Sequence, residues 1–187
     1  MGTLGPNSGA TFADDATVGT ITLTSPANAA ASDDARVTAV LLGLQVAHYL
    51  KATNFGFALP LDATITGVTV DVERSSSVGT TTVDNSVKLV KGGTISGTEK
   101  ASATTWPTSD AYATYGSATD LWGLTLTPTD INASGFGMAI SATTTLAATA
   151  SIDHVRITVD YSGSNRSGNG TRYVKVGAGM ARNERAN

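Results

Sequence analysis

The chain has 187 residues, no cysteine, and charged side chains at only 14% of its positions. This length allows one domain with its own hydrophobic core, and the absence of cysteine excludes disulfides, thiolate zinc sites and cysteine nucleophiles. Charge is uneven, because residues 162–187 carry five Lys or Arg against one acid while the rest of the chain is acidic. No apolar run is long enough to span a bilayer, so no membrane partner is expected.

Apolar and polar residues alternate along much of the chain, and no sustained helical period is present. Such alternation is typical of half-buried antiparallel strands. In chain order, the predicted strands span residues 18–24, 36–42, 49–57, 64–74, 85–93, 121–127, 135–141 and 151–161. Turn formers separate them, and one helical turn is predicted at 129–132, where Pro128 precedes and Asp130 caps.

The alternation is clearest in the strands predicted at 64–74 and 151–161. Their predicted inward-facing residues are Val68, Val70, Val72, Val155, Ile157, Val159 and Tyr161. About eight strands separated by turns fit a jelly roll better than an immunoglobulin-like sandwich. The predicted fold is therefore all-β: a single jelly-roll-like antiparallel β-sandwich at 16–161, with an N-terminal arm at 1–15 and a basic C-terminal arm at 162–187.

Residue patterns that carry catalysis are missing from the sequence. His48 and His154 lack the spacing of a metal site, and no nucleophile elbow or phosphate-binding glycine motif occurs. We therefore expect a protein that is not an enzyme and needs no cofactor. Asp33 and Asp34 are a weak calcium candidate, because Ca²⁺ takes carboxylate oxygens from loops; the alternative is that they cap a turn.

An aromatic cluster between residues 105 and 116 is a candidate for ligand binding. Trp106, Tyr112 and Tyr115 fall in a stretch that reads as a long loop, and aromatic rings in jelly rolls often stack on the faces of sugars. The alternative is that Trp106 plugs one end of the sandwich while the tyrosines occupy strand positions.

The basic C-terminal arm is predicted to bind a partner protein. Residues 171–176 alternate polar and apolar side chains and could add a strand to a neighbouring sheet, although a disordered terminus is the alternative. The residues predicted to make these contacts are Arg166, Arg172, Tyr173, Val174, Lys175, Val176, Arg182 and Arg185. The acidic body repels phosphate, so nucleic acid is not an expected partner for it.

Seven stretches between residues 18 and 161 together resemble a β-sandwich domain of virion structural proteins in tailed bacteriophages. They are SPANA (25–29), SDD (32–34), YLKATNFGF (49–57), ITGVTVDVER (65–74), VKLVKGG (87–93), the run 106–116 and IDHVRITV (152–159). The resemblance implies a jelly-roll fold and a virion component, whether a capsid decoration (cement) protein, a head fibre or a tail-associated module.

Combined with this resemblance, the sequence predicts a capsid decoration protein that is assembled in the host cytoplasm and stabilises the phage head shell. Its sandwich and arms would contact the major capsid protein and further copies of itself, in a trimer. The alternative is a carbohydrate-binding head-fibre or tail module that takes part in host attachment.

Overall fold

A computed structural model of the chain describes residues 1–163, and strands dominate them. The strands are β1 (Gly2–Ser8), β2 (Thr11–Asp15), β3 (Val37–Leu42), β4 (Tyr49–Thr53), β5 (Thr64–Ser76), β6 (Thr82–Lys91), β7 (Thr94–Ser96), β8 (Ala111–Ser117), β9 (Gly137–Thr144) and β10 (Ala147–Ser162). A 3-10 turn at Pro26–Ala29 and helix α1 at Pro128–Asn132 complete the secondary structure of these residues. Over this range no helix is long and apolar enough to cross a membrane.

Two antiparallel sheets make up the fold. Sheet A has the order β3–β10–β5–β8, with β1 also paired to β10, and sheet B has the order β2–β4–β9–β6–β7. From β3 to β10 the chain changes sheet at every connection except the tight β6–β7 turn. Eight strands wound in this way form a jelly roll, so the predicted all-β jelly-roll sandwich is confirmed.

The hydrophobic core lies between the two sheets. In sheet A, every predicted inward-facing valine and isoleucine of β5 and β10 is buried, and only Tyr161 at the end of β10 is partly exposed. Sheet B contributes Leu50, Leu89, Met138 and Ile140 to the same core. Full burial of one such side chain stabilises the fold by about 1.5–3 kcal/mol, so the alternating rows fix which face of each sheet turns inward.

The first fifteen residues form two strands, so the prediction of an irregular N-terminal arm was wrong. β1 pairs with β10, and β2 pairs with β4, so the chain crosses from one sheet to the other between Ser8 and Thr11. Leu4 and Phe12 pack against the core from these strands. The segment carries little alternation of its own, and it is ordered by backbone pairing with sheet edges that the rest of the chain provides.

Two other predicted strands are absent from residues 1–163. Residues 18–24 make only isolated bridges, and residues 121–127 form turns that bury Trp122.

The helical turn was predicted correctly, but Thr127 rather than Asp130 is its N-cap. Asp130 is the third residue of the helix and accepts a hydrogen bond from the Thr127 N–H, completing a capping box.

Candidate functional site

A groove of about 480 Å³ runs along the edge of β8 that has no strand partner within residues 1–163. The opposite wall of the groove is formed by residues 100–107, which belong to the segment that connects β7 to β8. Hydroxyl groups line it from both sides, at Ser102, Thr104, Thr105 and Thr114. An edge strand also leaves alternate backbone N–H and C=O groups without a strand partner, so β8 adds further hydrogen-bonding capacity.

The wall opposite β8 is pinned to sheet B. The Lys100 N–H donates to the Val87 carbonyl at 2.9 Å, and the Trp106 N–H donates to the Thr82 carbonyl at 2.9 Å. Between them, the Ser102 N–H donates to Asp84 Oδ2 at 2.9 Å. Because β6 holds this wall at three points, the groove is formed before any ligand arrives.

The floor of the groove rests on a buried polar network centred on Asp84. This carboxylate accepts hydrogen bonds from the Trp106 indole at 2.8 Å and from the Tyr115 hydroxyl at 2.9 Å, and it pairs with the Arg74 guanidinium. The Arg74 Cζ lies 5.0 Å from the centre of the Trp106 ring. Burial and the negative charge of Asp84 raise the pKa of Tyr115, so its hydroxyl remains a neutral donor.

Tyr112 is the exposed aromatic residue of the groove, with 38% of its surface accessible. Its ring stacks against Arg156, whose Cζ lies 4.1 Å from the ring centre, and its hydroxyl lies 2.7 Å from His154 Nδ1. Burial and the charge of Glu73 raise the pKa of Tyr112. The hydrogen bond with His154 and the contact with Arg156 therefore hold a neutral phenol in one orientation.

The structure separates the three aromatic residues that the sequence proposed as a sugar platform. Trp106 and Tyr115 are buried, and their polar atoms are used by Asp84, so neither ring face can stack on a sugar. Their prediction as direct contacts was wrong, because the 105–116 stretch contains strand β8, which turns Tyr115 inward. Tyr112 points outward from the same strand and remains a candidate contact.

A second polar site lies at the start of β8, where three carboxylates meet. Oxygens of Asp34, Asp110 and Asp153 lie within 4.8 Å of one another. Arg36 pairs with two of them, donating through Nε to Asp110 at 2.8 Å and through Nη2 to Asp34 at 2.7 Å. Asp33, the other half of the sequence-based calcium candidate, is not in this cluster and instead accepts the Ala35 N–H.

The three carboxylates of this acidic cluster differ in their environment. Hydrogen bonds from Arg36 and Ser75, opposed by burial, hold the pKa of Asp110 below its usual range. Burial raises the pKa of Asp153, and the charges of Glu73 and Asp110 act in the same direction despite one hydrogen bond from the Asp34 N–H. Asp153 is therefore the carboxylate of the cluster that is least well compensated.

Several important residues were missed by sequence reasoning. Arg74 continues the inward-facing row of the strand predicted at 64–74, and this position was the one signal that it could be buried. Asp84 precedes the strand predicted at 85–93, and Asp110 and Asp153 carry no local motif. Their partners lie as far as 119 residues away in the chain, as between Asp34 and Asp153. The predicted arm contacts Arg166, Arg172, Tyr173, Val174, Lys175, Val176, Arg182 and Arg185 lie outside the described residues.

Comparison with known proteins assigns no family to the chain. It matches no protein-family model, and no curated protein matches it. A solved structure described as BiXyn10A CBM1 in its apo form is similar to it, with a TM-score of 0.43 and 10% identity over 81% of this chain and 91% of that one.

Two further solved structures are similar at lower scores. The N-terminal cellulose-binding domain of β-1,4-glucanase C from Cellulomonas fimi has a TM-score of 0.37 and 11% identity, over 73% of this chain and 81% of that one. The enzymatically active domain of tailspike protein 4 from bacteriophage CBA120 has a TM-score of 0.34 and 12% identity, over 74% of this chain and 17% of that one. Scores this low transfer no function, and the link to phage virions stays a prediction.

Proposed function

We propose that the protein is a non-catalytic carbohydrate-binding module that holds an oligosaccharide in the groove beside β8. The observation that carries the proposal is the groove itself, with a volume of about 480 Å³, hydroxyl-bearing walls and one exposed aromatic ring at Tyr112. Its volume lies within the range of ligand pockets, about 300–1,000 Å³.

The chemistry of the groove suits a neutral polyhydroxylated ligand. Ser102 and Thr104 each offer a hydroxyl that both donates and accepts hydrogen bonds, which matches the groups of a sugar. The Thr114 hydroxyl donates to Asp71 at 2.7 Å and can still accept a hydrogen bond from a ligand. Lys100 can donate as well, although its ammonium group also pairs with Asp120 at 2.6 Å. The apolar ring of Tyr112 supplies the contact for the C–H face of a sugar residue.

The anchored floor and wall support the same proposal through preorganisation. Binding is weakened when side chains and loops must be ordered at the moment of association. Here Arg74, Asp84, Trp106 and Tyr115 are already fixed beneath the groove by mutual hydrogen bonds and stacking. A ligand would therefore meet a rigid surface in which only Lys100 and the hydroxyl side chains need to adjust.

Binding to a panel of soluble polysaccharides, measured by affinity electrophoresis and then by calorimetry on the best ligand, tests this function. Tyr112→Ala should weaken binding by at least about 1 kcal/mol, roughly fivefold, because aromatic contacts at the centre of a site commonly exceed that value. Tyr112→Phe keeps the ring and should retain most of the affinity.

A variant on a remote surface supplies the matched control. Leu61 is exposed and lies outside the groove, so Leu61→Ala should bind like the parent protein. Equal loss in Tyr112→Ala and Leu61→Ala, or full binding by Tyr112→Ala, would contradict the assignment of the groove. Failure of the parent protein to bind any glycan in the panel would contradict the function.

A second candidate function is the predicted virion structural protein. One observation favours it, at the β3 edge of sheet A, away from β8. Val40, Leu42, Leu44 and Leu146 are all exposed, and β3 and β10 bring them together, since Leu42 is registered opposite Ala147. Contiguous exposed apolar side chains commonly mark protein–protein contacts. Leu42→Ser combined with Leu146→Ser should abolish self-association measured by light scattering; a parent protein that is monomeric at high concentration would count against this candidate.

A further inference from the structure

We propose that Asp34, Asp110 and Asp153 bind a divalent cation, with Ca²⁺ as the preferred ion. The three residues come from separate parts of the chain: the loop before β3, the residue before β8, and β10. This proposal does not depend on a carbohydrate ligand, because the acidic cluster shares no residue with the groove lining.

The spacing of the carboxylate oxygens fits a common ligand. Ca²⁺ takes oxygen ligands at about 2.3–2.6 Å, so two ligands of one ion are separated by no more than about 5 Å. One oxygen from each of the three residues meets that limit, since all three lie within 4.8 Å of one another. The remaining ligands of a six- to eight-coordinate ion would come from water and nearby carbonyl groups.

Asp153 supplies an observation that is independent of the clustering. It is 2% exposed, and its Oδ1 has no hydrogen-bond partner among the described residues. Its Oδ2 accepts one bond of 3.3 Å from the Asp34 N–H. A buried carboxylate with so little compensation is unfavourable unless a cation or a proton neutralises it, and an ion held by the cluster would satisfy it.

Arg36 does not neutralise the site. Its single positive charge is shared between Asp34 and Asp110, which leaves Asp153 and a net negative charge in the cluster. Glu73 adds to this surplus: it is registered opposite His154, next to Asp153, and its Oε2 is buried without a hydrogen-bond partner among residues 1–163. A divalent ion brings the two charges that the protein side chains do not provide.

The backbone places Asp153 in the cluster through an irregularity in β10. The register between β10 and β5 shifts between Ile152 and His154, so Asp153 is the extra residue. A bulge of this kind changes the alternation of its strand: Ile152 is buried on one side of it and Val155 on the other, and Asp153 between them is buried beside Asp34. An ion bound there would tie β10 to the loops that lead into β3 and β8.

Thermal unfolding of the full chain tests the proposal. Protein stripped with EDTA is titrated with CaCl₂ at constant ionic strength, and heat released on binding is measured by calorimetry in parallel. We expect a saturable rise in Tm, because an ion that binds only the folded state stabilises it. Mg²⁺ should give a smaller rise, because it demands a more regular octahedral site.

Two isosteric variants show where the ion binds. Asp153→Asn should weaken Ca²⁺ binding by at least about tenfold, as loss of metal-site residues commonly does. In EDTA, Asp153→Asn should have a higher Tm than the parent protein, because it removes an uncompensated buried charge. Asp33→Asn is the matched control: it lies one residue from Asp34 but outside the cluster, and it should respond to Ca²⁺ like the parent protein.

Two results would overturn the proposal that the acidic cluster binds a divalent cation. The absence of a saturable Tm shift and of binding heat with Ca²⁺, Mg²⁺ and Mn²⁺ would show that a proton, not a cation, neutralises Asp153. A Ca²⁺ response that is equal in the parent protein and Asp153→Asn would place the ion elsewhere. Calorimetry on the parent protein decides the first point even if a variant fails to fold.

Discussion

Two buried aspartates, Asp84 in sheet B and Asp153 in sheet A, differ in how far neighbouring groups compensate their negative charge. Asp84 pairs with Arg74 and accepts hydrogen bonds from the Trp106 indole, the Tyr115 hydroxyl and the Ser102 N–H. Asp153 accepts one long bond from the Asp34 N–H, and its other oxygen has no partner within residues 1–163.

The difference indicates what each aspartate is for. A buried charge with every lone pair used is part of the scaffold, since its partners already compensate for the lost hydration. A buried charge with an unused oxygen beside two other carboxylates is better explained by something that the chain itself does not supply. Asp84 thus supports the groove, whereas Asp153 defines a candidate ligand site.

The largest expected effect is the loss of the Asp84 charge. Asp84→Asn should lower the free energy of unfolding by about 3–5 kcal/mol, because it leaves the Arg74 guanidinium buried without its counter-charge. Urea denaturation measures the change, and Asp62→Asn, at an exposed position, is the control. A change below about 1 kcal/mol at Asp84 would mean that the network is not structural.

A smaller loss is expected from removing one donor to Asp84. Tyr115→Phe deletes the hydroxyl that donates at 2.9 Å while keeping the ring in the core. Hydrogen bonds to charged groups contribute about 1.5–3 kcal/mol, and the decrease in unfolding free energy should fall in that range. Tyr161→Phe, at the partly exposed end of β10, should change it little; similar values for both would contradict the central role of Asp84.

The same substitution at the second aspartate should have the opposite sign. In EDTA, Asp153→Asn should raise the free energy of unfolding by about 1 kcal/mol, since it removes a buried charge that lacks a partner. Denaturation in urea, run beside Asp84→Asn, makes the comparison direct. Destabilisation of both variants in chelator would show that Asp153 is compensated in the folded protein.

The smallest effect is expected at Glu99, which braces the groove wall. Burial opposes its ionisation, but hydrogen bonds from the Ser86 hydroxyl and from backbone N–H groups that include Val87 hold its pKa below the usual 4.5. Because the folded pKa is lowered, Glu99 stabilises the fold above the unfolded pKa, and this contribution is lost as pH falls through the folded value.

Stability measured against pH checks this expectation for Glu99. The parent protein should lose stability below pH 4.5 more steeply than Glu99→Gln, because the glutamine variant has no carboxyl to protonate. Identical acid limbs in the two proteins would show that Glu99 titrates normally in the fold.

Much of the sandwich could be predicted from local pattern alone. The valines of β5 and the Val155, Ile157 and Val159 row of β10 alternate with polar residues, and a strand has a period of two, so the sequence determined the class of fold and the inward faces. Thr127, Pro128 and Asp130 likewise determined a helical turn through their local chemistry.

Only the tertiary structure decided the rest, because it depends on contacts between residues that are distant in the chain. β1 and β2 exist because β10 and β4 offer them edges. The jelly-roll crossings bring Asp84 beneath Trp106 and Tyr115, and they gather Asp34, Asp110 and Asp153. These aspartates cannot be told apart by their local sequence. Burial and the number of available partners make Asp84 a structural residue and Asp153 a candidate ligand.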